Sequence, residues 1–183
     1  MESPTLRPGI LLIAPPMLED PNFWRTVVLL CAHGEDGSFG LILNRPTTLT
    51  LREVLDVPVS YPLFMGGPVQ PDTLHILHRL GDEIPEAQSV VDGVYWGGEV
   101  EALLDRLRTN PPEPDEMRFF LGYSGWAPGQ LEAEYEAGGW ILAPAHAANV
   151  FEDTPEKLWR TVLRRMGGDY ALLANFPDDP RLN

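Results

Sequence analysis

Three groups of residues in this 183-residue chain have the types and spacing that chemistry could use. His75 and His78 are spaced as a helical pair of metal ligands. Ser124 sits between glycines in Gly122-Tyr123-Ser124-Gly125-Trp126, as a nucleophile does. Glu132, Glu134 and Glu136 offer paired carboxylates. Each fails on physical grounds. The two histidines lie in the strand-like run Leu74–His78, where residues three apart point to opposite faces, so the imidazoles do not converge on one ion. A nucleophile elbow needs glycine two residues after its serine, and Trp126 stands there. Glu132 and Glu136 share a helical face, but nothing apolar surrounds them to raise one pKa, and they read as a solvated acidic face. Gly34, Gly37 and Gly40 lack the dinucleotide spacing and lie between two strands, with no helix N-terminus to receive a pyrophosphate. No catalytic residue, metal or cofactor is expected.

One set remains as a candidate binding site: His33, Asn44, Arg45, Gly66, Gly67, Tyr123, Trp126 and Gln130. A strand-end Asn-Arg pair, a Gly-Gly-Pro turn that admits close backbone approach, and aromatics beside an amide are the parts of a small-molecule groove or a protein docking site. The same residues could equally lock strand-to-helix corners. The leading expectation is a non-enzymatic binding protein whose contact surface is the corner of Asn44, Arg45, Gly66-Gly67-Pro68 and Trp126. The alternative is an enzyme acting on a small anionic or nucleotide-like ligand, with Arg45 as charge clamp and His33 as the proton-transfer group. A weaker third reading is a nucleic-acid-binding regulator using Arg160, Arg164 and Arg165.

Composition argues against that third class. The 27 Asp and Glu against 13 Lys and Arg leave a formal charge of −14, which repels phosphate backbones and anionic membranes. No apolar run approaches the roughly 20 residues of a membrane span, and the N-terminus lacks a signal pattern, so a soluble, cytoplasmic protein is expected. The one cysteine, Cys31, lies in an apolar run and reads as a buried, inert thiol.

The elements that must position these residues follow from periodicity. Val27 to Asn44 reads as a hairpin turning at Gly34-Glu35-Asp36-Gly37, with Leu41-Ile42-Leu43 covered on both faces. Asp20-Pro21-Asn22-Phe23-Trp24 looks like a capped helical turn. Leu49, Leu51, Val54 and Leu55 suggest a short amphipathic helix, and Leu74–His78 and Val94–Trp96 suggest strands. Val100, Leu103, Leu104 and Leu107 form one face of a helix. After the stiff loop Pro111–Pro114 come a strand Met117–Tyr123, a helix near Gln130–Ala137 and a strand Trp140–Leu142. A last helix starts at Thr154-Pro155-Glu156, buries Leu158, Trp159, Val162, Leu163 and Met166, and stops at Gly167-Gly168. Strands and helices mix without βαβ alternation, which favours one α+β domain over residues 1–183.

Over nearly its full length the chain resembles the AlgH/YqgE family. The residues that carry the resemblance are Leu11–Pro15, Asp20–Phe23, Val27–Cys31, His33, Gly40–Pro46, Gly66–Val69, Gly122-Tyr123, Gly125-Trp126 and Gly129–Glu132. Ala32 stands where the family usually carries an acidic residue, Ser124 stands where it usually has alanine, and the tail Pro177–Asn183 looks altered. The resemblance implies a single α+β domain whose bifurcated mixed sheet folds into a pseudo-barrel with flanking helices. It also implies a regulatory role in transcription by family name, and no reaction. With no helix-turn-helix signature and an acidic charge, such a role is expected to be indirect, through a protein or small-molecule partner.

Overall fold

The computed structural model describes residues 4–18 and 20–177. Among them the strands are β1 (Ile10–Ile13), β2 (Val27–Gly34), β3 (Gly37–Ile42), β4 (Pro46–Thr50), β5 (Pro62–Met65), β6 (Val69–His78), β7 (Gln88–Val91), β8 (Val94–Trp96), β9 (Met117–Trp126) and β10 (Ile141–Pro144). The helices are α1 (Val100–Thr109), α2 (Gln130–Glu136), α3 (Ala147–Phe151), α4 (Leu158–Met166) and α5 (Gly168–Leu173). The result is a mixed α+β fold built on one curled sheet.

The sheet runs β10-β1-β2-β3-β9-β6-β8-β7, with β4 and β5 branching from it. The fork lies in β9. Its first half pairs in parallel with β5, Leu63 to Phe119 and Met65 to Leu121. Its second half pairs antiparallel with β3, Gly40 to Ser124 and Ser38 to Trp126. Two strands thus share one edge of β9 in succession, and β6 lines the other edge. The sheet curls until Gly9, just before β1, meets β7: a Cβ on Gly9 would lie 2.7 Å from the Val90 carbonyl oxygen.

Because side chains alternate along a strand, β1 feeds two cores at once. Leu11 and Ile13 pack with Phe151, Leu158, Trp159 and Leu163. Ile10, Leu12 and Ala14 pack with Trp126, Leu131 and Trp140 on the other face. A third cluster joins α1 to the branch, with Leu103 and Leu107 against Leu51, Leu63 and Phe119. Leu41, Ile42 and Leu43 are buried on both faces as their unbroken apolar run requires. Cys31 is buried in the first core, and burial pushes its thiol well above the ordinary range.

Several sequence expectations need correction. The helix read at Leu49–Leu55 is instead β4 followed by a single 3-10 turn, Leu51–Glu53. Only Leu51 of its supposed apolar face is fully buried, while Leu49 and Val54 are exposed. The β-branched Thr47, Thr48 and Thr50 favour extension, and the Glu53 carboxylate caps the turn through the Thr50 amide at 2.6 Å. Asp20 does cap, accepting the Asn22 amide at 2.9 Å, but the segment forms hydrogen-bonded turns rather than a helix. Val100 is 65% exposed, so the buried face of α1 begins at Leu103. β1, β5, β7, α3 and α5 were not anticipated. α5 starts at Gly168, and the positive φ angles of Gly167 and Gly168, 74° and 55°, turn the chain out of α4 into it. Apart from Pro177, the altered tail lies outside the described residues.

Candidate functional site

The eight candidate residues fall into four places. Asn44 forms a clamp: its side-chain oxygen accepts the Val27 amide and its amide nitrogen donates to the Arg25 carbonyl, both at 2.9 Å. Arg45 donates to the Trp24 carbonyl, and burial lowers its guanidinium pKa. Together they pin the corner through which the chain enters β2. A buried amide bonded to backbone through both its oxygen and its nitrogen is a strong local constraint, because leaving those groups unpaired costs about 1–3 kcal/mol each.

Gly66 and Gly67 lie at the fork. The Gly66 amide donates to the Leu121 carbonyl, and its own carbonyl accepts from the Ile42 amide, both at 2.8 Å. A Cβ on Gly67 would lie 2.1 Å from the Tyr123 carbonyl carbon, so two backbones cross where no side chain fits. Ser124 is fully buried here and donates its hydroxyl to the Gly66 carbonyl at 3.1 Å. Its place is structural.

His33 and Tyr123 belong to half-buried polar and aromatic surfaces of the sheet. His33 Nδ1 lies 2.7 Å from the Ser38 hydroxyl across the β2–β3 hairpin. Tyr123 stacks on Phe39 at 4.6 Å, Phe39 stacks on Trp96 at 4.5 Å, and His75 meets Phe39 edge-on at 5.1 Å. His78, by contrast, is buried: its Nε2 donates to the Gly97 carbonyl at 2.8 Å and its Nδ1 accepts the Leu80 amide at 3.2 Å. No group of three or more potential metal-ligating side chains converges among the described residues.

Of the eight, Trp126 and Gln130 line a cleft of about 330 Å³ between α2, the turn after Asp20 and Trp140, just before β10. Its walls include Phe23, Trp140 and Glu134 as well. Glu134 organises them. One carboxylate oxygen accepts both indole N–H groups, from Trp126 and Trp140, at 3.0 Å each. The other accepts the Gln130 amide, also at 3.0 Å. Gln130 in turn receives the Ala127 amide at 2.9 Å. Phe23 completes the apolar wall, 5.6 Å from Trp140 and 6.2 Å from Trp126 between ring centres.

Sequence reasoning missed Phe23, Trp140 and Glu134. It weighed Glu132 with Glu136 and left Glu134 aside. The available signal was Gln130 and Glu134 at i and i+4 on one helical face, directly after an indole. Two of the three arginines of α4 also find partners within the chain, while the third, Arg164, is exposed. Arg165 makes a two-pronged contact with Asp153 at 2.8 and 3.0 Å, and Arg160 donates to the Ala174 and Phe176 carbonyls.

A forked, curled sheet with helices on both faces, and a corner cleft organised by one carboxylate, define a class of small α+β proteins. The chain belongs to the AlgH-like family, whose model matches residues 11–171. A UPF0301 protein of Chlorobaculum tepidum is 47% identical over 180 residues, 97% of this chain and 96% of the relative. A UPF0301 protein of Cytophaga hutchinsonii is 46% identical, covering 97% of this chain and all of the relative. The solution structure of the AlgH protein from Pseudomonas aeruginosa matches with a TM-score of 0.76 and 33% identity over 98% of both chains. A crystal structure from Corynebacterium diphtheriae matches with a TM-score of 0.79 and 27% identity, covering 96% of this chain and 95% of that one. The forked-sheet α+β fold that the resemblance implied is the fold observed. No helix among the described residues is long and apolar enough to cross a membrane.

Proposed function

We propose that this protein binds a ligand without transforming it, in the cleft walled by Phe23, Trp126, Gln130, Glu134 and Trp140. The observation that carries the reading is the state of Glu134, whose carboxylate accepts three N–H groups. A general acid or base must exchange a proton with the substrate. Glu134 is instead a fixed acceptor that sets the shape of the wall. Neither His33 nor Arg45 lines this cleft, which weighs against the alternative of an enzyme built on that pair. The corner of Asn44 and Arg45 holds the backbone of Trp24 and Arg25, next to Phe23 of the wall, and serves in this reading as frame rather than contact surface.

The protein acts in the cytoplasm, and its regulatory effect is indirect, through the bound molecule or a protein that responds to it. The formal charge of −14 and the internal engagement of Arg160 and Arg165 support action without direct nucleic-acid contact. The test is a panel of small metabolites titrated into isotope-labelled protein, following the indole N–H signals of Trp126 and Trp140 by NMR. Saturable shifts, with the compound recovered unchanged after long incubation, are expected. Conversion of the bound compound, or a panel-wide absence of indole shifts, would overturn the reading.

A further inference from the structure

The cleft also indicates what kind of ligand it takes. Its walls carry two carboxylates, Asp20 and Glu134, three aromatic rings and the Gln130 amide, and, among the described residues, no Lys, Arg or His. Aromatic faces attract cations through their quadrupole, carboxylates add to that field, and the whole-chain charge of −14 raises the local concentration of cations. An anion or a phosphorylated metabolite meets only repulsion here.

The hydrogen bonds narrow the class further. A carboxylate offers roughly four lone-pair sites, and Glu134 already uses three on Trp126, Trp140 and Gln130. Asp20 commits one oxygen to the Asn22 amide. The carboxylate set among the rings, Glu134, thus supplies negative charge but few free acceptors, and the lone pairs that remain on Asp20 belong to an exposed residue. That balance suits a cation with little to donate, an alkylated ammonium, better than a primary ammonium or a guanidinium, which need acceptors for every N–H. A volume of about 330 Å³ stands at the small end of the roughly 300–1,000 Å³ range for ligand pockets.

We infer that the cleft binds a quaternary or trimethylated ammonium group, held against the wall that the Phe23, Trp126 and Trp140 rings form and near the charges of Asp20 and Glu134. The inference rests on the reading of the cleft as a binding site. The same head group occurs in free choline-like solutes and on trimethylated lysine side chains, and the test separates them.

Choline, its uncharged carbon analogue 3,3-dimethylbutan-1-ol, and a short peptide with and without trimethyllysine are titrated while the Trp126 and Trp140 indole signals are followed. Choline or the trimethylated peptide is expected to shift both indoles saturably, with the uncharged analogue and the unmodified peptide at least tenfold weaker. Asp20→Asn keeps the oxygen that accepts the Asn22 amide and removes the charge. It should weaken binding several-fold with indole positions of the free protein unchanged, and added salt should do the same. Glu134→Gln provides a second charge removal in which an amide oxygen still receives the indoles. Stronger binding by the choline head selects the free solute, and stronger binding by the peptide selects the side chain. Equal binding of the uncharged analogue overturns the cation inference while leaving a binding cleft in place. Silence of both indoles with all four probes overturns it too, and the wider metabolite panel then decides the fate of the cleft separately.

Discussion

Gly67→Ala tests the account of the sheet fork most directly. The added Cβ would stand 2.1 Å from the Tyr123 carbonyl carbon, 2.2 Å from its oxygen and 2.4 Å from the Ser124 nitrogen. Unbonded heavy atoms settle at roughly 3.5–4.0 Å, so one backbone must withdraw by more than about 1 Å. All three atoms belong to main chain, and no side chain can swing aside. Withdrawal opens the bonds that hold the crossing: Gly66 amide to Leu121 carbonyl and Ile42 amide to Gly66 carbonyl, at 2.8 Å each, and the Ser124 hydroxyl to Gly66 at 3.1 Å. At a net of about 1 kcal/mol per bond, and more where a buried donor is orphaned, the expected loss is about 3–5 kcal/mol. That is a large share of the roughly 5–15 kcal/mol that holds an ordinary domain folded. Urea denaturation followed by circular dichroism measures it, with Gly34→Ala as the control. A Cβ on Gly34 meets nothing within 4 Å, and this control is expected to stay within about 1 kcal/mol of the parent. A Gly67→Ala chain as stable as Gly34→Ala would refute the reasoning.

Glu134→Ala leaves the Trp126 and Trp140 indole N–H groups without their acceptor and should cost about 2–4 kcal/mol, with Glu134→Gln recovering about half; urea midpoints compare the three chains. Asn44→Ala removes both bonds of the clamp on Val27 and Arg25 and should cost about 2–3 kcal/mol. A loss below about 0.5 kcal/mol in the same assay would remove Asn44 from the frame. His78 is held neutral because burial disfavours its charge, despite an opposing contribution from the Gly97 carbonyl, and its Nδ1 must stay bare to accept the Leu80 amide. Its folded pKa therefore lies below the unfolded value of about 6.5. The neutral state is fully favourable above that value, and stability falls as pH drops below it, because the unfolded chain takes up the proton first. His75 shifts the same way through burial. Ring-proton NMR titration should place both midpoints below about 6.5, and a midpoint above it would reject the assigned tautomer.

Legibility in the sequence tracked the range of the interactions. The α4 helix was readable because a 3.6-residue period and its stops, Pro155 and Gly167-Gly168, are local signals; Leu158, Trp159, Val162 and Leu163 are buried as expected, while Met166, expected with them, is half-buried. The β2–β3 hairpin was readable for the same reason, with Gly37 at a φ of 115°. The segment Leu49–Leu55 was misread because its apolar spacing fits a helix, yet pairing of β4 with β5, Pro46 opposite Phe64 and Thr50 opposite Pro62, outweighs that local preference. Of the candidate residues, Trp126 and Gln130 reached the cleft, but Phe23, Trp140 and Glu134 did not stand out. Nothing in their immediate neighbours says that they meet.

The amino-acid sequence alone determined the family, the α+β class, the two-sided burial of Leu41–Leu43, the inertness of Cys31 and the turn glycines. All depend on composition or on neighbours a few residues away. Only the tertiary structure decided that Gly66 and Gly67 cross β9 at a fork, that Asn44 and Arg45 face inward to backbone, and that one glutamate joins two distant indoles into a wall. Those outcomes depend on which strands pair and where the sheet curls. Strand pairing is set by the collective burial of several apolar faces, which no local window of sequence contains.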